Sequence, residues 1–145
     1  MKRKRTSNIV IHCSATRGIQ DIGAKEIRKW HVEGNGWADI GYHFVIRRSG
    51  RVEAGRSVDD VGSHVQGQNA TSVGVCLVGG LNDKTFKPEN NFTPQQWVSL
   101  KKLVSDLLKK YPKAKVLGHR DFPGVQKACP CFSAKVWAKK ESFPV

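Results

Sequence analysis

Residues 72–80 read Ser-Val-Gly-Val-Cys-Leu-Val-Gly-Gly, an unbroken run of apolar and small residues that ends at two glycines. Such a run is typical of a central β-strand buried on both faces, because a strand with one wet face alternates apolar with polar residues. A sheet that is buried on both faces needs a layer of helices on each side. This stretch therefore predicts an α/β domain built on a central sheet.

The segments on either side of this run complete one domain. Strands are predicted at 8–12, 42–47, 51–54 and 115–118, and helices at 24–33, 93–111 and 133–140. The order is β-α-β-β-β-α-β-α, which gives a single α/β domain with a central mixed β-sheet flanked by helices. The polar segments 14–23, 56–71 and 82–92 are interpreted as loops.

The clearest helix begins after Thr93, which is placed to cap it. Pro94 takes the first helical position, and Gln96 completes a capping box. Apolar residues then recur at intervals of three and four until Pro112 ends the helix.

The chain has 145 residues and a formal net charge of +13, a charge that attracts polyanions of any kind. Nucleic-acid binding is one interpretation, although no helix-turn-helix, no paired Cys-x-x-Cys and no aromatic-rich sheet motif is present. No apolar stretch approaches the roughly 20 residues that cross a bilayer. The basic start, residues 1–5, is followed by an apolar run too short for a signal peptide, so we predict synthesis in a cytoplasm.

The four cysteines are Cys13, Cys76, Cys129 and Cys131. Without a signal peptide, reduced thiols are favoured over disulfides. Cys13 is expected to point into the core, and Cys76 is interpreted as a small buried hydrophobic residue.

Two histidines and a cysteine indicate a metal site. His12 and His119 each end a predicted strand, and ligands gather at that edge of α/β sheets. A cysteine on either side of Pro130 could join them, either Cys129 or Cys131. Two imidazoles and one thiolate make a zinc site with an open fourth position, which is the arrangement of a catalytic zinc. If both cysteines bound the ion, the site would be closed and structural.

Other polar residues lie near these predicted strand ends. Tyr42 opens the second strand and could reach the site, and Lys127 precedes Cys129 by two residues. His43 should face the other side of the sheet and is a weaker candidate. His64 lies in a polar loop that could border a cleft, and His31 is expected on a helix surface.

These residues belong to motifs of one family. The chain resembles the zinc-dependent N-acetylmuramoyl-L-alanine amidases related to peptidoglycan-recognition proteins, and within them the short phage lysozymes, or endolysins. The resemblance covers residues 9 to 137 and rests on motifs in the family's order: I-V-I-H-C-S-A-T, A-K-E-I-R-K-W-H, D-I-G-Y-H-F-V-I, G-R-V-E-A-G-R, V-G-S-H, S-V-G-V-C-L-V-G-G, N-F-T-P-Q-Q, G-H-R-D and K-A-C-P.

The resemblance implies a role for each candidate. It makes His12, His119 and Cys129 the Zn²⁺ ligands, with Cys129 favoured because it precedes proline in the family's Lys-x-Cys-Pro pattern. It makes Tyr42 and Lys127 the catalytic pair, and His64 is a candidate for substrate binding. Cys131 departs from the pattern, because relatives usually have a small residue without a thiol there.

The expected function is hydrolysis of the amide between N-acetylmuramic acid and L-alanine of peptidoglycan by zinc-activated water, leading to bacterial lysis. The expected domains are a basic N-terminal segment, 1–8, and a zinc amidase catalytic domain, 9–145. A positive charge would retain the enzyme near the anionic polymers of the cell wall. Since no signal is evident, the resemblance implies release from the host cytoplasm through a holin-like pore, and a monomer is the expected state.

Three alternatives stay open at this point. The fold could bind peptidoglycan without cutting it, although family members of that kind lack the cysteine ligand that Cys129 supplies. The amidase could also bind and inhibit a phage RNA polymerase, as the resemblance to phage lysozymes implies. A structural zinc protein is favoured only if Cys131 also ligates the ion.

Overall fold

The computed structural model describes all 145 residues. Its strands are β1 (Asn8–Cys13), β2 (Thr16–Arg17), β3 (Phe44–Ile46), β4 (Val52–Ala54), β5 (Ser72–Leu77), β6 (Gly80–Leu81) and β7 (Lys115–Gly118). Its α-helices are α1 (Ala24–Lys29), α2 (Pro94–Lys110) and α3 (Ala134–Lys140). A π-helical turn at Trp30–Gly34 continues α1, and single 3₁₀ turns occupy Asn69–Thr71 and His119–Asp121.

The central sheet has five strands in the order β4-β3-β5-β1-β7. β5 pairs in parallel with β3 and β1, β7 pairs in parallel with β1, and β4 forms an antiparallel hairpin with β3. Every residue of β5 is buried. The predictions of a mixed sheet and of a doubly buried central strand are confirmed.

Helix α2 covers one face of this sheet. Its N-terminal capping box forms as predicted, because Thr93 Oγ1 accepts the Gln96 N–H at 3.1 Å and Gln96 Oε1 accepts the Thr93 N–H at 2.9 Å. Its buried residues Leu100, Val104 and Leu107 join the larger core cluster with the inward side chains of β1 and β5. Each such side chain contributes about 1.5–3 kcal/mol by leaving water.

The other face of the sheet packs on α1. A smaller cluster of buried residues joins Ile27 of the helix to Ile40, Val45, Cys76 and Val78. The burial of Cys76 agrees with its interpretation as a small hydrophobic residue. No helix of the protein has both the length and the apolar character that crossing a membrane requires.

Three local expectations were wrong. The segment 14–23, interpreted as a loop, contains β2, which pairs in parallel with β6 in a separate two-stranded sheet. The helix expected over 24–33 is α-helical only to Lys29 and continues as a π-helical turn. The strand expected over 42–47 is reduced to β3, so Tyr42 lies just before it.

Candidate metal centre and cleft

The pairing of β1 with β7 brings two histidines together. These strands are adjacent and parallel, and their register places Ile11 opposite Gly118. His12 and His119 follow those residues directly, so they lie side by side at the carboxyl edge of the sheet, with ring centroids 4.8 Å apart. This is the edge at which α/β folds commonly bind their ligands.

Cys129 returns to this edge from the loop that follows His119. Its Sγ accepts the backbone N–H of Cys13 at 3.2 Å and lies 4.0 Å from His12 Nδ1. Its carbonyl oxygen accepts the backbone N–H of Arg120 at 3.0 Å. The loop is therefore tied both to the end of β1 and to the turn after β7.

The donor atoms of His12, His119 and Cys129 all lie within 4.8 Å of one another. Metal–ligand distances of about 2.0–2.3 Å hold the donors of a tetrahedral zinc roughly 3.5 Å apart. Small side-chain movements would bring these three donor atoms to that separation. Cys131 does not belong to this group of donors. The chain thus offers three ligands, as an open zinc site needs.

Both histidines are held in the neutral form that binds metal. His12 is 1% exposed, and burial together with the neighbouring imidazole of His64 holds its pKa well below the usual range. Burial, with a contribution from the Lys127 ammonium, also lowers the pKa of His119. A neutral imidazole has a free lone pair at neutral pH, and a metal ligand requires one.

His64 contacts the ring nitrogen of His12 that does not face Cys129. Its Nδ1 lies 2.9 Å from His12 Nε2. Asn69 Oδ1 accepts the backbone N–H groups of His64 and Val65 at 2.8 and 2.9 Å, which fixes the loop. Gly74 makes room for the ring, since a Cβ there would lie 2.7 Å from His64 Cγ.

Tyr42 and Lys127 both lie near the histidines. The Tyr42 ring centroid is 5.0 Å from that of His12, and burial holds the pKa of its hydroxyl well above the usual range. The hydroxyl is therefore an uncharged hydrogen-bond donor at neutral pH. Lys127 is exposed and lines the same cleft as His64 and His119.

This cleft has a volume of about 860 Å³ and an even mixture of polar and apolar walls. Most of its lining residues are not evident from the sequence, and Trp37 and Asn69 are two examples. Trp37 follows a glycine-rich turn, which signals a loop but gives no direction for the indole. Asn69 lies in a polar loop where only the folded chain reveals which backbone groups its amide holds.

Other candidates lie outside the centre. His43 is fixed between two backbone groups, because its Nδ1 accepts the Gly74 N–H at 3.0 Å and its Nε2 lies 2.8 Å from the Asp60 carbonyl oxygen. His31, expected on a helix surface, is half-buried against Trp37, and its Nδ1 accepts the Gly41 N–H at 2.9 Å.

The chain matches proteins of a known family over nearly its whole length. Residues 2–132 match the family model described as N-acetylmuramoyl-L-alanine amidase. The endolysin of Enterobacteria phage K11 is 54% identical over 138 residues, which are 95% of this chain and 89% of that protein.

Two solved structures have the same fold. N-acetylmuramoyl-L-alanine amidase LysC from Clostridium intestinale URNW superposes with a TM-score of 0.76 at 30% identity, covering 95% of this chain and 85% of that one. Drosophila PGRP-LB gives a TM-score of 0.75 at 25% identity, covering 99% and 85%. The chain therefore belongs to the N-acetylmuramoyl-L-alanine amidase family and is a peptidoglycan amidase.

Proposed function

We propose that this amidase is a zinc enzyme that cuts the amide bond between the lactyl group of N-acetylmuramic acid and L-alanine of the stem peptide. The observation that carries the proposal is the convergence of His12, His119 and Cys129 at the carboxyl edge of the sheet, with donor atoms within 4.8 Å of one another. Two imidazoles and a thiolate suit zinc, and three protein ligands leave a position for water or substrate.

A zinc ion held by these residues would activate water and polarise the scissile carbonyl. The protein's part is to keep the ligands oriented. Nδ1 of His12 faces Cys129 and would bind the ion, so its Nε2 would keep the proton and donate to His64 Nδ1. A hydrogen bond of this kind fixes the tautomer and the direction of a metal-binding imidazole.

Tyr42 and Lys127 act on the substrate in this proposal. The Tyr42 hydroxyl, which stays protonated at neutral pH because its pKa is raised by burial, donates a hydrogen bond to the substrate carbonyl or to the attacking water. The Lys127 ammonium stabilises the negative charge that develops on the carbonyl oxygen. His64 lines the cleft as well, so a direct contact between His64 and substrate stays a prediction.

Two cysteine variants in one loop test the metal assignment. Cys129→Ser is expected to lose both stoichiometric zinc and amidase activity, because a hydroxyl is a poor zinc ligand. Cys131→Ser is the matched control and should keep both, since Cys131 lies outside the donor group. Zinc content is measured by elemental analysis of the purified proteins. Retention of full zinc by Cys129→Ser, or its loss from Cys131→Ser, would contradict the assignment.

The biological setting extends the proposal. The relative from phage K11 is called an endolysin, and a peptidoglycan amidase of this kind would lyse bacteria from within. Several expectations stay predictions. They are synthesis in the host cytoplasm, release through a holin-like pore, a monomeric state and binding to a phage RNA polymerase. The domain boundary at residue 8 and retention near anionic wall polymers also stay predictions. The presence of Cys129 supports catalysis over binding without cleavage.

A further inference from the structure

Two thiols beside the metal centre have no part in the amidase reaction. Cys13 follows His12, and Cys131 lies two residues after Cys129. Their sulfur atoms are 3.8 Å apart, although 118 positions separate them in the chain. All four cysteines are free thiols in this structure. The fold therefore places an unbonded pair of thiols in van der Waals contact.

The backbone around residue 80 makes room for this pair. Gly80 has φ +102°, and a Cβ at this position would lie 2.8 Å from Cys13 Sγ and 3.5 Å from Cys131 Sγ. The thiol of Cys131 donates to the Gly80 carbonyl oxygen at 3.3 Å. The two sulfurs thus share a space that exists because residue 80 has no side chain.

The two thiols differ in their access to solvent. Cys13 is 5% exposed at the end of β1, whereas Cys131 is only half-buried in the loop. An oxidant in solution therefore reaches Cys131 first, and Cys13 is the sulfur in contact with it.

We propose that Cys13 and Cys131 form a redox-sensitive pair that a hydroperoxide converts to a disulfide. Cys131 Sγ attacks the peroxide, the O–O bond breaks, and a sulfenic acid and one water form. Cys13 Sγ then attacks the sulfenic sulfur, the S–S bond forms, and the second water leaves. Two thiols lose two electrons and two protons, and one hydrogen peroxide becomes two waters.

The rival partner is Cys129, which is also close to Cys13. Cys129 Sγ, however, contacts the backbone of Cys13, with its N–H at 3.2 Å and its carbonyl oxygen at 4.0 Å. Cys131 Sγ, in contrast, contacts the sulfur atom of Cys13. A bound metal would further withhold Cys129 from oxidation, so the geometry favours the Cys13–Cys131 link.

The link would join the strand that carries His12 to the loop that carries Cys129. The sulfurs must approach from 3.8 Å to about 2.05 Å, a movement that the half-buried loop can make. Closing a loop of this length restricts the unfolded chain and stabilises the folded one. The pairing of the two cysteines does not depend on the proposed zinc chemistry.

Peptide mapping tests the pairing without any measurement of activity. Zinc-supplemented, full-length protein is treated with hydrogen peroxide, remaining thiols are alkylated, and the chain is digested with trypsin without reduction. Cleavage after Arg5, Arg17, Lys127 and Lys135 places Cys13 on peptide 6–17 and both loop cysteines on peptide 128–135. Fragment ions in the mass spectrum then identify the linked sulfur.

We expect a link between peptides 6–17 and 128–135 that survives in Cys129→Ser, is absent in Cys131→Ser and is reversed by dithiothreitol. The thermal unfolding midpoint of the oxidised wild type should rise by roughly 5 °C or more, with no rise in Cys131→Ser. Absence of the link in the wild type, or its loss in Cys129→Ser, would overturn the pairing. A link without a rise in the midpoint would overturn its stabilising role.

Discussion

Burial decides the protonation state of single side chains at the metal centre. It lowers the pKa of His12 and raises that of Tyr42, so the imidazole offers a lone pair while the hydroxyl keeps its proton. Lys127, in contrast, stays in solvent on the cleft wall. The environment of His12 suits a metal ligand, and that of Tyr42 suits a hydrogen-bond donor. The environment of Lys127 suits a cation that stabilises a developing oxyanion.

The role of Lys127 predicts a separation of metal binding from turnover. Lys127→Ala should keep stoichiometric zinc and lower kcat by about 10²–10³-fold, as expected when a group that stabilises an oxyanion is lost. The measurement is kcat on purified peptidoglycan together with zinc content. Lys135→Ala, which removes an exposed cation from α3, is the control and should behave as wild type. Full activity in Lys127→Ala would show that Lys127 has no role in the reaction.

Part of this site can be predicted from the sequence because the signals for some of its residues are local. His12 and His119 directly end apolar segments, and a strand end is visible in a sequence. The choice of Cys129 over Cys131 required the family motif, since both flank Pro130 equally. The contact between His12 and His64 joins residues 52 positions apart, and no local pattern specifies such a contact.

Among the secondary-structure elements, helix α2 shows how one side chain joins the start of a helix to the ends of two strands. Gln96 is fully buried, and its amide Nε2 donates to the carbonyl oxygens of Ile46 and Val78 at 3.1 and 2.9 Å. Its Oε1 accepts from Thr93 N–H and from Arg48. The capping residue therefore also satisfies the backbone at the ends of β3 and β5.

This junction predicts a large effect from a small substitution. Gln96→Ala should lower the free energy of unfolding by about 3 kcal/mol, because two buried carbonyl oxygens each lose one of their two donors. The Arg48 guanidinium also loses an acceptor, and the helix loses half of its capping box. Gln95→Ala, one position earlier and exposed, should change it by less than about 0.5 kcal/mol. Urea denaturation of both variants measures the difference. Equal stabilities would show that the buried amide is dispensable.

The sequence predicted long elements better than short ones. Helix α2 and strand β5 have many residues of consistent pattern, and both are confirmed. The pairing of β2 with β6 involves two residues on each side, too few for any periodicity. In the π-helical turn after α1, His31 contacts Trp37 and accepts the Gly41 N–H, and a helical pattern does not contain these contacts.

For the whole molecule, positive charge and buried neutral histidines together set the response to acid. The formal net charge is already +13 at neutral pH, and each protonated histidine adds to the repulsion. His43 is the clearest case away from the metal ligands. Burial lowers its pKa to about 4, although the hydrogen bond to the Asp60 backbone acts in the opposite direction. Its Nδ1 accepts the Gly74 N–H and is therefore not free to take up a proton.

This lowered pKa predicts a loss of stability in mild acid. The unfolded chain takes up the His43 proton near pH 6.5, whereas the folded chain resists it until about pH 4. Stability is therefore fully present above pH 6.5 and falls as the pH drops toward 4, by about 3 kcal/mol from this residue.

A His43→Gln variant isolates that contribution. With chelator present, so that metal loss plays no part, the wild type should lose about 3 kcal/mol more than the variant between pH 7 and pH 4. His43 also lowers the pKa of the neighbouring His64, so the difference measures His43 together with this coupling. Parallel profiles from urea denaturation would contradict the assignment.

The central claim is that this chain is a zinc-dependent amidase, and its most direct test is the appearance of new L-alanine amino termini in purified peptidoglycan. The assay is run on native protein, on protein treated with a chelator, and on treated protein to which zinc is restored. We predict release by the native protein, loss of release with chelator, and recovery with zinc. Release that persists in full after verified removal of the metal would contradict the account.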